Sequence, residues 1–128
     1  MLDHIGLKVS DIARSKAFYD RALAPLGVSV IMEVPKEESG EGAFVGYGEA
    51  FKPYFWINEQ PKATELLHVA FAADTRHRVD AFYKAAMAAG GRDNGPPGLR
   101  TIYHPTYYGA FVLDPDGHNV EAVCHAPA

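Results

Sequence analysis

The chain reads as an α+β fold: two βαβββ modules forming a cupped mixed sheet with helices on the outer face. Three observations predict it. First, His4 to Gly27 aligns without a gap on His68 to Gly91 with eight identities, among them His4/His68, Arg14/Arg78, Phe18/Phe82, Tyr19/Tyr83 and Gly27/Gly91. Such a match marks an internal duplication. Second, each copy opens with period-two alternation and passes through a capping residue into a helical stripe. Third, Gly42-Ala43-Phe44-Val45 recurs as Gly109-Ala110-Phe111-Val112, so the duplication reaches the far strands.

The elements follow in order. His4, Gly6 and Lys8 share one strand face, and Ile5, Leu7 and Val9 share the other, an aliphatic face that needs a cover. Ser10 is the expected N-cap of a helix running to about Ala24, with Asp11 favoured in its first turn by the helix dipole. Ile12, Phe18, Tyr19, Ala22 and Leu23 supply the covering stripe. Pro25 and Gly27 stop it. Val28 to Val34 is β-branched and reads as a strand, Pro35 to Gly42 as a loop, and Ala43 to Gly48 and Tyr54 to Asn58 as two more strands. Gln60-Pro61-Lys62 is the linker.

The second copy repeats the plan. His68, Ala70 and Ala72 face one way and Val69, Phe71 and Ala73 the other; Asp74 is the expected cap, and the helix runs to about Ala89 before Gly90-Gly91. Arg92 to Pro105 is rich in breakers, with a short strand expected at Arg100 to Tyr103. Tyr107 to Leu113 and His118 to His125 form a hairpin across the Asp114-Pro115-Asp116-Gly117 turn. The expected organisation is one domain over 1–128, with modules at 1–60 and 64–126.

The bulk properties narrow the partners. A length of 128 residues with 48% hydrophobic and 22% charged residues suits one globular domain. A net charge of −4 without a basic run argues against nucleic acid, and no apolar run approaches membrane-spanning length. Cys124 is the lone cysteine, which suits a reducing compartment. The first residues read as strand, leaving no room for a signal peptide, so a cytoplasmic protein is expected. Modules of this size bury too little surface alone and should pack on each other or on a second chain.

On the last strand, Asn119, Glu121 and Val123 share a face, while Val120, Ala122 and Cys124 form the apolar face toward a helix. Glu121 therefore points with His4 and His68, away from the helices. Two imidazoles and a carboxylate facing one concavity suit Zn, Fe(II), Mn, Ni or Co, with coordination positions left for water and substrate. The alternative is a set of satisfied polar groups without metal.

This duplicated plan, with a His opening each copy and Asp114-Pro115-Asp116-Gly117-His118-Asn119-Val120-Glu121 closing the chain, resembles the vicinal-oxygen-chelate superfamily. That group includes glyoxalase I, extradiol dioxygenases, fosfomycin-resistance thiol transferases and bleomycin-resistance binding proteins. The resemblance implies a cup around a divalent metal on His4, His68 and Glu121, often in a homodimer that sometimes exchanges modules. The second carboxylate ligand of glyoxalase I falls here on Tyr54, or on Trp56 after a two-residue slip. Neither is a carboxylate. The remaining two-His, one-Glu set matches the Fe(II) facial triad and the fosfomycin enzymes.

A second candidate group lies in Arg100 to Tyr108. His104 could act beside Glu121 as acid or base, and Tyr103 and Tyr108 could form a substrate rim. Tyr54 and Trp56, facing the cup, would favour a planar or apolar small molecule. His77, His118 and His125 read as solvated or structural. Three functions remain open: a metal-dependent lyase, isomerase or dioxygenase; a metal-free antibiotic-sequestering binder; and a fosfomycin-type thiol transferase.

Overall fold

A computed structural model describes residues 1–62 and 65–128; the expected start of the second module at residue 64 lies outside the described residues. The first half runs β1 (Ile5–Val9), α1 (Ile12–Ala22), a 3-10 turn (Ala24–Leu26), β2 (Ser29–Val34), the one-turn α2 (Lys36–Ser39), β3 (Phe44–Glu49) and β4 (Lys52–Glu59). The second runs β5 (His68–Ala72), α3 (Arg76–Ala88), the short β6 (Arg92–Asp93) and β7 (Gly98–Leu99), then β8 (Tyr108–Leu113) and β9 (Asn119–Cys124). The duplication is thus visible in three dimensions. One sheet has the order β1-β4-β3-β2 and the other β5-β9-β8-β6, with β7 also paired to β8. In each, the opening strand runs parallel to the closing one, Ile5 beside Phe55 and His68 beside Asn119, while the remaining neighbours are antiparallel.

The alternation read from the sequence sets the burial. Leu7 and Val9 of β1, Val45 and Tyr47 of β3, and Phe55 and Ile57 of β4 are buried with Phe18, Tyr19 and Ala22 of α1. Phe71, Ala110, Val112, Val120, Ala122 and Cys124 are buried with Val79, Phe82 and Ala86 of α3. The two cores fuse. Tyr19 meets Phe55 at 5.1 Å between ring centroids and Phe55 meets Phe71 at 5.1 Å, both edge to face, a geometry the ring quadrupoles favour. Helices α1 and α3 also lie against each other.

Several local expectations are corrected. Asp11, not Ser10, caps α1 by accepting from the Arg14 amide, and Thr75, not Asp74, caps α3 by accepting from the Arg78 amide. Both pairs combine two good capping types, so one-residue errors are natural. Asp74 instead pairs with Arg78 one helical turn on, at 3.3 Å. No strand forms at Arg100 to Tyr103, which is a turn closed by Tyr103 and His104 donating to the Arg100 carbonyl; the edge strands are β6 and β7.

Ser10 and the β8–β9 turn instead join the two halves. The Ser10 hydroxyl donates to Asp116 at 2.5 Å, and its amide does so at 3.1 Å. The Tyr19 hydroxyl donates to the buried Asp114 at 2.5 Å. His118, 1% exposed, accepts at Nδ1 from the Leu67 amide and donates from Nε2 to the Lys8 carbonyl. Two opposite hydrogen bonds fix the tautomer with the proton on Nε2. The turn that leads into β9 is therefore bolted to the start of α1.

Candidate functional site

Glu121 lies on β9 with 1% exposure, on the side of the sheet opposite α3. Burying a carboxylate there is costly unless its oxygens are occupied. Both are. His68 Nε2 lies 2.8 Å from Oε1, and the Tyr107 hydroxyl donates to Oε2. Parallel register brings the first contact about, because Ala70 sits beside Glu121 and His68 beside Asn119. Burial, then the bond to Glu121 and its charge, pushes the Tyr107 hydroxyl up to about 12.

The first histidine shares a cavity with His68. His4, Ile5, Tyr54, Phe55, His68 and Phe71 help to line a space of about 350 Å³. There His4 is well exposed and its Nδ1 lies 2.7 Å from Asp3, whose carboxylate also pairs with Lys52 at 2.8 Å. Lys52 first, then His4, holds the Asp3 carboxyl below its ordinary value. Among the described residues, no three His, Cys, Asp or Glu side chains converge closely enough to hold a metal ion. One chain brings His68 and Glu121 together and leaves His4 apart from them.

Tyr54 and Trp56 divide between two cavities. Tyr54 lines the first, with its hydroxyl pushed up by burial and then by the charge of Glu49. Trp56 lines a neighbouring space of about 670 Å³ with His4, Gly6, Phe44 and Lys52. Its indole crosses Gly46, where an added Cβ would fall 2.8 Å from ring carbons. The glycine leaves room for the ring to lie against the strand.

The loop before β8 departs most from expectation. Tyr108 turns to the helix side, donating to Asp80 of α3 at 2.6 Å with Arg76 over its ring. Tyr107 is the residue that reaches Glu121. His104 is exposed, its Nδ1 engaged by the Thr106 amide at 3.2 Å and its ring edge-on to His125. Tyr103 is exposed and packs its edge on Tyr107 at 5.1 Å. Strand parity carries a signal that finds Tyr107: Phe111 sits opposite Glu121, and counting back in twos passes Gly109 and arrives at Tyr107.

These features define a class, a duplicated β-α-β-β-β protein whose polar pair sits on the sheet face away from the helices. The model of the Glyoxalase/Bleomycin resistance protein/Dioxygenase superfamily matches residues 1–122, and the chain belongs to that family. Two curated relatives named "Probable lactoylglutathione lyase" are similar over 94% of this chain and 87% of their own length: one from Vibrio parahaemolyticus at 31% identity and one from Vibrio cholerae at 29%. A solved glyoxalase/bleomycin resistance protein from Albidiferax ferrireducens superposes with a TM-score of 0.75 at 28% identity, covering 97% of this chain and 98% of that one.

Proposed function

We propose that the chain is one protomer of a metal-dependent enzyme of the glyoxalase/dioxygenase type acting on a small molecule with vicinal oxygens. The observation that carries the reading is the contact of His68 Nε2 with Glu121 Oε1 at 2.8 Å. An imidazole nitrogen from a cavity-lining histidine, touching the oxygen of a buried carboxylate, makes with it a chemically fitting pair of ligands for a first-row divalent ion such as Fe, Zn, Ni or Mn. The third ligand in this reading is His4 of a second copy, since His4 of the same chain does not converge on the His68–Glu121 pair. A bound ion would polarise the substrate oxygens as a Lewis acid.

The chain's own groups restrict the chemistry. Glu121 is the carboxylate at the pair, so it is the group suited to take and return a proton beside a carbonyl. Trp56 sits beside Gly6 as Glu121 sits beside Ala70, so it stands where the glyoxalase I resemblance calls for a second carboxylate. Its indole N–H is a donor only and cannot serve as that base. A proton shuttle between two carboxylates is therefore not available at this pair, which favours chemistry using one acid–base group. The largely apolar cavity walls suit a compact, planar or apolar substrate.

Elemental analysis of protein purified anaerobically tests this: wild type should carry a stoichiometric divalent ion and His68→Ala should lose it. A second reading, a metal-free binder, is favoured by Trp56 lying across Gly46 on a 670 Å³ cavity. It predicts that planar aromatic compounds quench the single tryptophan equally with and without chelator, and equally in His4→Ala.

A further inference from the structure

Tyr107 lies outside the regular part of β8, yet it is held from several directions. Its amide donates to the His104 carbonyl at 3.1 Å and its carbonyl accepts from the Arg100 amide at 2.7 Å. Its ring lies edge-on to Tyr103 at 5.1 Å and to His125 at 5.2 Å. Thr106, beside it, donates to the His125 carbonyl at 2.6 Å, tying the loop to the end of β9. Gly109 clears the approach: a Cβ there would sit 3.1 Å from the Tyr107 ring and 3.3 Å from Glu121 Oε2. A hydroxyl delivered this rigidly to one oxygen of a buried carboxylate does more than fill space.

We infer that Tyr107 is a positioning residue that occupies Oε2 of Glu121, so that the carboxylate presents Oε1 alone beside His68 Nε2. The geometry of the carboxylate points this way. Tyr107 and His68 take different oxygens of the same group, and Oε1 is the one on the His68 side. A partner that orients a ligand in this manner ordinarily governs ion affinity and coordination number. His68 Nε2 and Glu121 Oε1 would hold an ion while Tyr107 keeps Oε2, so Glu121 would offer it one oxygen. The inference rests on the reading of His68 and Glu121 as ligands for its second half only; the orientation of the carboxylate stands without metal.

Two measurements test it. In chelator-treated protein, a double-mutant cycle in thermal unfolding compares Tyr107→Phe in wild type with Tyr107→Phe in Glu121→Leu. The hydroxyl should matter in the first background and be neutral in the second; equal effects in both would overturn the contact. In Co(II) titrations, Tyr107→Phe should weaken ion binding by about 10–100-fold, the usual scale for such partners, and lower the visible absorption as Glu121 becomes bidentate. Unchanged affinity and spectrum would overturn the positioning role. If wild type binds no ion while the cycle shows coupling, the metal reading fails and the Tyr107 orientation of Glu121 stands.

Discussion

His118 Nε2 donates to the carbonyl oxygen of Lys8 at 2.7 Å, across 110 residues of sequence. With Leu67 donating to the other ring nitrogen at 3.0 Å, one buried imidazole stitches β1 to the start of β5 and to the turn that leads into Glu121. The orientation of the two modules within a chain, and hence the separation of His4 from the His68–Glu121 pair, is held at this point.

Replacing His118 by Ala removes both bonds, strands the Lys8 carbonyl and the Leu67 amide, and opens a cavity. The expected loss is about 2–4 kcal/mol, read as a lower denaturant midpoint. Retention of wild-type stability would mean that the imidazole is dispensable to the junction.

Tyr19→Phe probes the same junction more gently. It removes one donor from Asp114, whose other oxygen still accepts from the amides of Asp116 and His118. The expected cost is about 1–3 kcal/mol, with the fold intact by circular dichroism.

The scaffold is readable in the sequence because duplication and period-two alternation are local signals. The pairing of His68 with Glu121 follows, since face parity is enough to put both on the side away from the helices. What escapes is set by tertiary contact. His118 looks like a turn residue, although it shares parity with Val120 and Ala122 on the buried side, where a polar group needs partners. Tyr108 is favoured over Tyr107 because the loop hides the phase of β8 until it is counted back from Phe111. The split of His4 from His68 depends on how two modules dock, which no local pattern encodes.

Gly46→Ala should displace the Trp56 indole, because the new methyl would lie within 2.8 Å of the ring. Such overpacking costs about 1–3 kcal/mol. A shifted emission maximum of the single tryptophan reports the movement; an unchanged spectrum would show that the ring is not held there.

Alkaline stability should depend on Tyr107. Its hydroxyl is pushed from 10.0 up to about 12 in the folded chain, so between those values the unfolded chain has lost a proton that the folded chain keeps. Stability is therefore complete below about pH 10 and falls as pH rises toward 12. Tyr107→Phe should flatten that part of the profile; a superimposable wild-type curve would argue against the shift.

If the third ligand comes from a second copy, His4→Ala and His68→Ala chains should complement each other. Random mixing makes half the dimers mixed, each with one intact site of two, so ion content should recover to about a quarter of wild type from near zero. No recovery on mixing would contradict His4 of a second copy as the third ligand.

The most direct test of the central claim is the divalent-ion content of anaerobically purified protein, measured beside its His68→Ala and Glu121→Ala variants. The account predicts one ion per chain in wild type and its loss in both variants. A wild type that takes up no Fe, Zn, Ni, Mn or Co when each is supplied, or a His68→Ala variant that keeps its ion, would contradict it.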